Sequence, residues 1–146
     1  MLEIFNIFVN NEDASKIKDI FEKYILSSYS YYDLGNEKNY QILTLGILSV
    51  VFENYLVKSE VNNSYGRCDI MISPKKGGND MGIILEIKYS KTKLSKTRLK
   101  LLADKAIEQI EKHKYYEELK NRNLSNIVIY GFAFNQNQLA VSYKQL

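Results

Sequence analysis

The chain has 146 residues, 45% of them hydrophobic, and twenty basic against seventeen acidic side chains give a formal net charge of +3. This length fits one domain with one core, and so small a net charge is weak evidence for a polyanionic partner. No apolar run approaches the roughly 20 residues of a membrane helix and no signal-peptide pattern opens the chain, which predicts a soluble, cytoplasmic protein without a membrane partner.

The first predicted elements are two helices. Between Ile17 and Ile25 the apolar residues recur three and four positions apart, which indicates an amphipathic helix. A second, well-buried helix is predicted from about Glu37 to Tyr55. Its expected apolar face comprises Tyr40, Leu43, Gly46, Ile47, Val50 and Val51.

Three consecutive strands are predicted next. The segments YLVKSEV (55–61), GRCDIMIS (66–73) and MGIILEIKY (81–89) are short and rich in β-branched residues, with turn-like NNSYG and PKKGGND between them. The connection PKKGGND suits an antiparallel hairpin between the second and third strands.

A long helix and two strands complete the predicted order. Leu99, Leu102, Ala103, Ala106, Ile107 and Ile110 form the apolar face of a helix that should end near KNRNLS (120–125). The run NIVIYGFAF (126–134) suits a fully buried strand, and QLAVSY (138–143) alternates. Three strands, a crossover helix and a buried strand predict an α/β domain with one mixed sheet flanked by helices.

Two charged residues near the end of the third strand need an explanation. Side chains alternate between the faces of a strand, so Glu86 and Lys88 share one face. An unpaired buried charge is costly, so these two side chains should face a cleft or each other. Asp69 interrupts the second strand in the same way, with its neighbour Cys68 expected on the opposite face. If the two strands pair, Asp69 and Glu86 lie side by side.

Two adjacent carboxylates repel each other, and a magnesium or manganese ion would relieve the repulsion. The single cysteine, Cys68, and the single histidine, His113, exclude a disulfide and a metal site of the Cys/His type. A metal with an adjacent Lys88 has the parts for phosphodiester hydrolysis. The alternative is structural, with Asp69 or Glu86 engaged only in ion pairs to neighbouring cations.

Asp69, the interval 70–85 and then Glu86-Ile87-Lys88 resemble the motif of the PD-(D/E)XK nuclease superfamily, whose core order is helix, three strands, helix, strand. Further matching segments resemble the nuclease-like domains usually found C-terminal to AAA-type ATPase domains in bacterial and archaeal proteins. These segments are SYYDLGNEKNY (30–40), YGRCDIMISP (65–74), ILEIK (84–88) and YGFAF (130–134).

The resemblance implies a restriction-endonuclease-like core at 37–133, within a single domain 1–146. Residues 1–30 would be an N-terminal helical extension, either part of a linker or a cap on the core, and the last strand would be an addition to the core. The core order would be α-β-β-β-α-β.

The resemblance also implies roles for individual residues. Asp69 and Glu86 would ligate Mg²⁺ or Mn²⁺ with the Ile87 carbonyl as a third ligand, and Lys88 would be the catalytic lysine. Glu37 would contact the metal directly or through water. The alternative is that Glu37 is only a favourable charge in the first turn of its helix, and Glu53, late in that helix, competes for the acidic role.

Substrate contacts are expected from both sides of this motif. Gln109 matches a glutamine placed to touch substrate or the catalytic lysine in many of these nucleases. Arg67 should either meet a phosphate or pair with a carboxylate. Lys91, Lys93 and Lys96 open a basic stretch, 91–105, that ends at Lys105 and is well placed to follow a phosphate backbone.

The residues and the resemblance together predict a metal-dependent nuclease acting on nucleic acid, with DNA favoured over RNA. The alternative is a catalytically silent module of the same fold that binds nucleic acid or protein. The chain has no G-x-x-x-x-G-K-[ST] phosphate loop, so an ATPase domain or subunit would lie outside it. A homodimer is expected if both strands of a duplex are cut.

Overall fold

The structure is a computed structural model that describes residues 2–10, 14–28, 34–63, 66–75 and 80–146. Within these ranges, helices α1 to α5 surround strands β1 to β5. The helices are α1 (Leu2–Asn10), α2 (Ser15–Ile20, continued by a π-type turn Phe21–Ile25 and a 3₁₀ turn Leu26–Ser28), α3 (Glu37–Val51), α4 (Lys96–His113) and α5 (Glu117–Asn121). The strands are β1 (Tyr55–Asn63), β2 (Gly66–Pro74), β3 (Met81–Tyr89), β4 (Asn126–Asn135) and β5 (Gln138–Gln145).

The strands form one mixed sheet in the order β1-β2-β3-β4-β5. Strands β1, β2 and β3 pair antiparallel, β4 runs parallel to β3, and β5 pairs antiparallel with β4. The parallel pair is possible because the connection from β3 to β4 passes through α4. This arrangement confirms the predicted α/β class and the predicted hairpin between β2 and β3.

The alternation of side chains along β3 divides the core between the two faces of the sheet. Ile83, Leu85 and Ile87 belong to a cluster with residues of α1, α2 and α3, whereas Ile84 packs against residues of α4 and α5. A strand buried on both faces reads as a continuous apolar run, as β3 does until Glu86. The same alternation directs the side chains of Glu86 and Lys88 to the α4 face.

Two helices were not predicted from the sequence. Helix α1 places Ile4, Ile7 and Phe8 in the core, although the first helix was expected only further along the chain. The long helix α4 ends at His113 rather than near residue 120, because Lys114 takes a left-handed conformation (φ 52°) that ends it, and α5 follows as a separate turn of helix.

Segment 30–33, which carries part of the family resemblance, lies outside the described residues.

The predicted boundaries and apolar face of the second helix were partly wrong. Helix α3 ends at Val51, and Tyr55 begins β1. Gly46 and Val50 of the predicted apolar face are exposed. The side chains that α3 buries are Tyr40, Gln41, Thr44, Leu48 and Val51. The Thr44 hydroxyl finds a partner there by donating to the Tyr40 carbonyl at 2.7 Å, whereas Gln41 Nε2 is buried without a hydrogen-bond partner among the described residues.

Close packing of α4 on the sheet depends on Gly131. This β4 residue pairs with Glu86, and a Cβ built on it would clash with the Ala103 carbonyl oxygen and lie 2.9 Å from the Cβ of Ala106. We expect Gly131→Ala to lower the free energy of unfolding by about 1–3 kcal/mol, measured by urea denaturation, because α4 must move outwards. Gly46→Ala is the control: its Cβ would meet nothing within 4 Å, and in mid-helix it should stabilise by about 0.5–1 kcal/mol. Equal stability of Gly131→Ala and the wild type would contradict this packing.

Candidate active site

The central feature of the site is the end of the pairing between β2 and β3. Their regular register ends at Ile70 and Leu85, and beyond this point each acidic side chain binds the backbone of the opposite strand. The Asp69 N–H donates to Glu86 Oε1 at 3.0 Å, and the Ile87 N–H donates to Asp69 Oδ2 at 2.8 Å. These crossed hydrogen bonds place the two carboxylates side by side where the strands separate.

The Glu86 carboxyl group is held in an unfavourable place for a negative charge. It is 2% exposed, and desolvation followed by the charge of neighbouring Asp69 raises its pKa well above the usual range, while Lys88 counteracts the shift. Without a cation, the buried pair therefore favours a state in which a proton neutralises part of its charge.

Lys88 and Glu86 are joined through Gln109 of α4. The Lys88 ammonium donates to Gln109 Oε1, and Gln109 Nε2 donates to Glu86 Oε2 at 2.8 Å. One amide thus orients the lysine and the buried acid together. Gln109 was expected to touch the substrate or the lysine, and the structure brings it to the lysine.

Glu37 lies at the rim of the site, in the first turn of α3. The helix is capped by Asn36, whose side chain accepts from the Asn39 N–H at 2.9 Å. The Glu37 side chain is exposed, yet desolvation and then the charge of Asp69 raise its pKa, and Lys88 lowers it. The charges of Asp69 and Lys88 therefore influence the pKa of Glu37, which places its carboxyl group close to the site. Its competitor Glu53 is exposed and lies beyond the opposite end of α3.

The donor chemistry of Asp69 and Glu86 fits a divalent cation. Both supply hard carboxylate oxygens, and Mg²⁺ in proteins is commonly held by one or two carboxylates, with water and substrate phosphate completing its shell. In the part of the chain that the structure describes, no group of three or more His, Cys, Asp or Glu side chains is arranged to hold a metal. The residues present therefore fit a cation site with two carboxylate ligands, Asp69 and Glu86, to which Glu37 would contribute through water.

The predicted substrate-binding cations lie in different surroundings. Arg67 Nη2 forms an ion pair with Glu60 Oε1 at 2.7 Å, so of its two expected partners the structure shows the carboxylate. Lys91, Lys93 and Lys96 are exposed, and among the described residues none of the three forms an ion pair. These three remain available to an anionic ligand.

Tyr115 is a site residue that the sequence did not reveal. It is 4% exposed, and burial raises the pKa of its hydroxyl while the neighbouring Gln109 side chain lowers it. Its ring packs where Gly66 enters β2: a Cβ on Gly66 would lie 2.9 Å from Tyr115 Cε1, and Gly66 has φ 125°. Tyr115 is one of two tyrosines that follow the end of α4, and it belongs to no sequence motif. Only its location beside Gln109 in the folded protein identifies it.

The position of Cys68 shows that side chains do not alternate strictly between the two faces of β2. It was expected opposite Asp69, together with Ile70, but it packs in the cluster of Met71 on the α4 side. The regular pattern is interrupted here, since the β1–β2 register omits Glu60 opposite Asp69 and Glu60 has φ 50°. Burial raises the pKa of the Cys68 thiol to about 12, so this cysteine is an inert core residue.

A mixed five-stranded sheet flanked by helices, with an acid on the second strand and Glu-x-Lys on the third, defines a restriction-endonuclease-like fold of the PD-(D/E)XK type. The family model of the PD-(D/E)XK nuclease superfamily matches residues 35–144, and the chain belongs to this superfamily. No curated protein matches the chain. In the described ranges, no helix is both long and apolar enough to traverse a bilayer.

Proposed function

We propose that the chain is a Mg²⁺- or Mn²⁺-dependent nuclease that hydrolyses phosphodiester bonds in nucleic acid, with DNA as the preferred substrate. The observation that carries the proposal is the pair of crossed carboxylates, Asp69 and Glu86, joined through Gln109 to Lys88. A carboxylate pair adjacent to an ammonium, at the end of two core strands, suits the charge that develops on a phosphoryl group during hydrolysis.

The residues that would hold the cation are Asp69, Glu86 and the Ile87 carbonyl, with Glu37 acting through water. When bound, the cation would neutralise charge on the phosphoryl oxygens and lower the pKa of a water molecule. Lys88 would donate charge-assisted hydrogen bonds to the attacking water or to a phosphoryl oxygen.

Gln109 would be a positioning residue. By accepting from Lys88 and donating to Glu86, it keeps the ammonium close to the acid pair without a direct ion pair that would neutralise both groups. Because Lys88 already donates to Gln109 Oε1, Gln109 would touch the substrate only if the lysine released that oxygen.

Substrate backbone would be supported by Lys91, Lys93 and Lys96, which are exposed beyond β3. Arg67 would contribute if a phosphate displaced its half-buried partner, Glu60. Because contacts to phosphates are electrostatic and carry no direct sequence information, we expect binding that depends on salt rather than on sequence.

We further infer that residues 1–146 form one domain, with 1–30 as a helical extension of the core 37–133. Support comes from α1 and α2, whose residues Phe8 and Phe21 share one core cluster with β4. The resemblance to domains beside AAA-type ATPases supports an ATPase domain or subunit as partner, and a homodimer would supply two sites for two strands. A cytoplasmic location is consistent with the single, unpaired cysteine.

The proposal is tested by incubating the chain with plasmid DNA and end-labelled single-stranded DNA, duplex DNA and RNA, in EDTA, Mg²⁺ or Mn²⁺. We expect metal-dependent cleavage of DNA, absent in EDTA and reduced at least about 100-fold by Asp69→Asn. Asp19→Asn is the matched control, because this exposed acid lies on α2. Binding without cleavage in every metal would instead favour the catalytically silent module.

A further inference from the structure

An open groove of about 420 Å³ runs along the exposed side of α4, directly beside Lys88. Lys105, Lys112 and His113 line it together with one acid, Glu108, and with Gln109, the residue that binds Lys88. The groove is therefore continuous with the candidate active site. Lys105 ends the basic stretch 91–105 that the sequence singled out, whereas Lys112 and His113 were not identified as binding residues from the sequence.

Helical geometry aligns the groove residues in one stripe. Lys105, Gln109 and Lys112 are separated by four and three residues, so their side chains project from the same side of α4. Lys105 and Lys112 stand two turns apart, about 10 Å along the helix axis. This distance is close to the rise of three nucleotides along one strand of a duplex, at about 3.4 Å each. Gln109, with the active site behind it, lies between the two cations.

Both lysines have free charges in the part of the chain that the structure describes. Lys105 and Lys112 are exposed and make no ion pair or side-chain hydrogen bond there, even with the nearby Glu108. Other lysines near α4 are engaged: Lys100 binds Asp104 and Ser142. Unpaired cations on both sides of the site attract an anion without first having to break a protein contact.

We propose that this groove holds the phosphate backbone of the substrate strand, with Lys105 and Lys112 contacting phosphates on opposite sides of the scissile one. The inference rests on the proposed nuclease function and specifies its substrate: a polynucleotide strand that continues past the site in both directions. Internal bonds are then cleaved. His113, whose ring stacks on Tyr115 with centroids 5.5 Å apart and planes 11° apart, closes one end of the groove.

The test measures binding separately from cleavage. Lys105→Gln and Lys112→Gln are combined in an Asp69→Asn background, and affinity for a fluorescent 20-nucleotide duplex is followed by anisotropy in EDTA over a range of salt concentrations. We expect at least about tenfold weaker binding and a log–log salt slope reduced by about 2, or about 0.9 per lost phosphate contact. Both lysines are exposed, so thermal unfolding should be unchanged.

The control has the same net charge. Lys23→Gln and Lys75→Gln remove two exposed lysines from α2's continuation and from the far end of β2, and they should alter neither affinity nor slope by comparable amounts. If the groove variant binds as this control does, the groove assignment is wrong, whatever the cleavage assay shows. If the wild type cleaves no substrate yet the groove variant loses binding, the nuclease proposal fails and the binding groove stands.

A covalently closed single-stranded circle tests the two-sided path. A strand that passes through the groove in both directions predicts cleavage of the circle at a rate within about threefold of a linear strand of equal length. Digestion of linear strands with an intact circle would overturn the two-sided path and leave metal-dependent hydrolysis itself in place.

Discussion

Replacing Lys88 with methionine should lower the single-turnover rate of DNA cleavage by about 10²–10³-fold while affinity for DNA in EDTA changes by less than about threefold. Methionine keeps the unbranched stem but removes the charge that Gln109 holds near the acid pair. The loss should therefore appear in the chemical step, where charge develops on the phosphoryl oxygens, rather than in ground-state binding.

Two further variants sharpen this prediction. Lys75→Met removes an exposed lysine at the far end of β2, outside the proposed site, and should leave the chemical step unchanged. Gln109→Leu should have an intermediate effect, because Lys88 keeps its charge but loses its hydrogen-bond acceptor, and Glu86 loses a donor. An undiminished rate for Lys88→Met beside an inactive Asp69→Asn would show that the lysine has no part in catalysis.

The second large effect is expected from Glu86→Gln, in the pH dependence of stability without metal. The usual carboxyl pKa is about 4.5, and in the folded protein burial and Asp69 raise the pKa of Glu86. Above pH 4.5 the unfolded chain loses this proton while the folded chain retains it, so stability falls as pH rises until the folded pKa is passed. Glutamine cannot ionise, and the variant should lose this part of the slope.

Urea denaturation in EDTA between pH 5.5 and 8.5 measures the difference. We expect the wild type to lose on the order of 2 kcal/mol more than Glu86→Gln over this range. The hydrogen bond from Gln109 to Glu86 Oε2 is also disturbed in the variant, which costs about 1 kcal/mol at every pH. The prediction therefore concerns how the free energy of unfolding changes with pH, and not its value at any one pH. Glu53→Gln, at an exposed acid, should keep the wild-type slope.

Stabilisation by metal should show the reverse trend with pH in thermal unfolding without EDTA. Protons and Mg²⁺ compete for Asp69 and Glu86, so 10 mM Mg²⁺ should raise the melting temperature more at pH 8 than at pH 6. The increment should disappear in Glu86→Gln. A metal-induced stabilisation of equal size in the wild type and the variant would place the cation elsewhere on the chain.

Much of the architecture could be read from local patterns. The length and composition of β3 and β4 marked them as buried strands, and the helix between them allowed a parallel pair in a mixed sheet. Helix α1 and helix α5 were not foreseen, because short helices obtain most of their stability from the surface on which they pack. The buried face of α3 was misjudged for the same reason, since Gln41 and Thr44 face inwards.

The sequence by itself determined that Glu86 and Lys88 share a face and that Asp69 belongs to the neighbouring strand, because alternation along a strand depends only on backbone geometry. Tertiary structure alone decided where β2 and β3 separate, and hence that the two acids bind each other's backbone. It also brought Gln109 to Lys88 across 21 residues of sequence and directed Arg67 to Glu60. The contact of Gln109 with Lys88 depends on how closely α4 approaches the sheet, a distance that packing around Gly131 sets and no local pattern encodes.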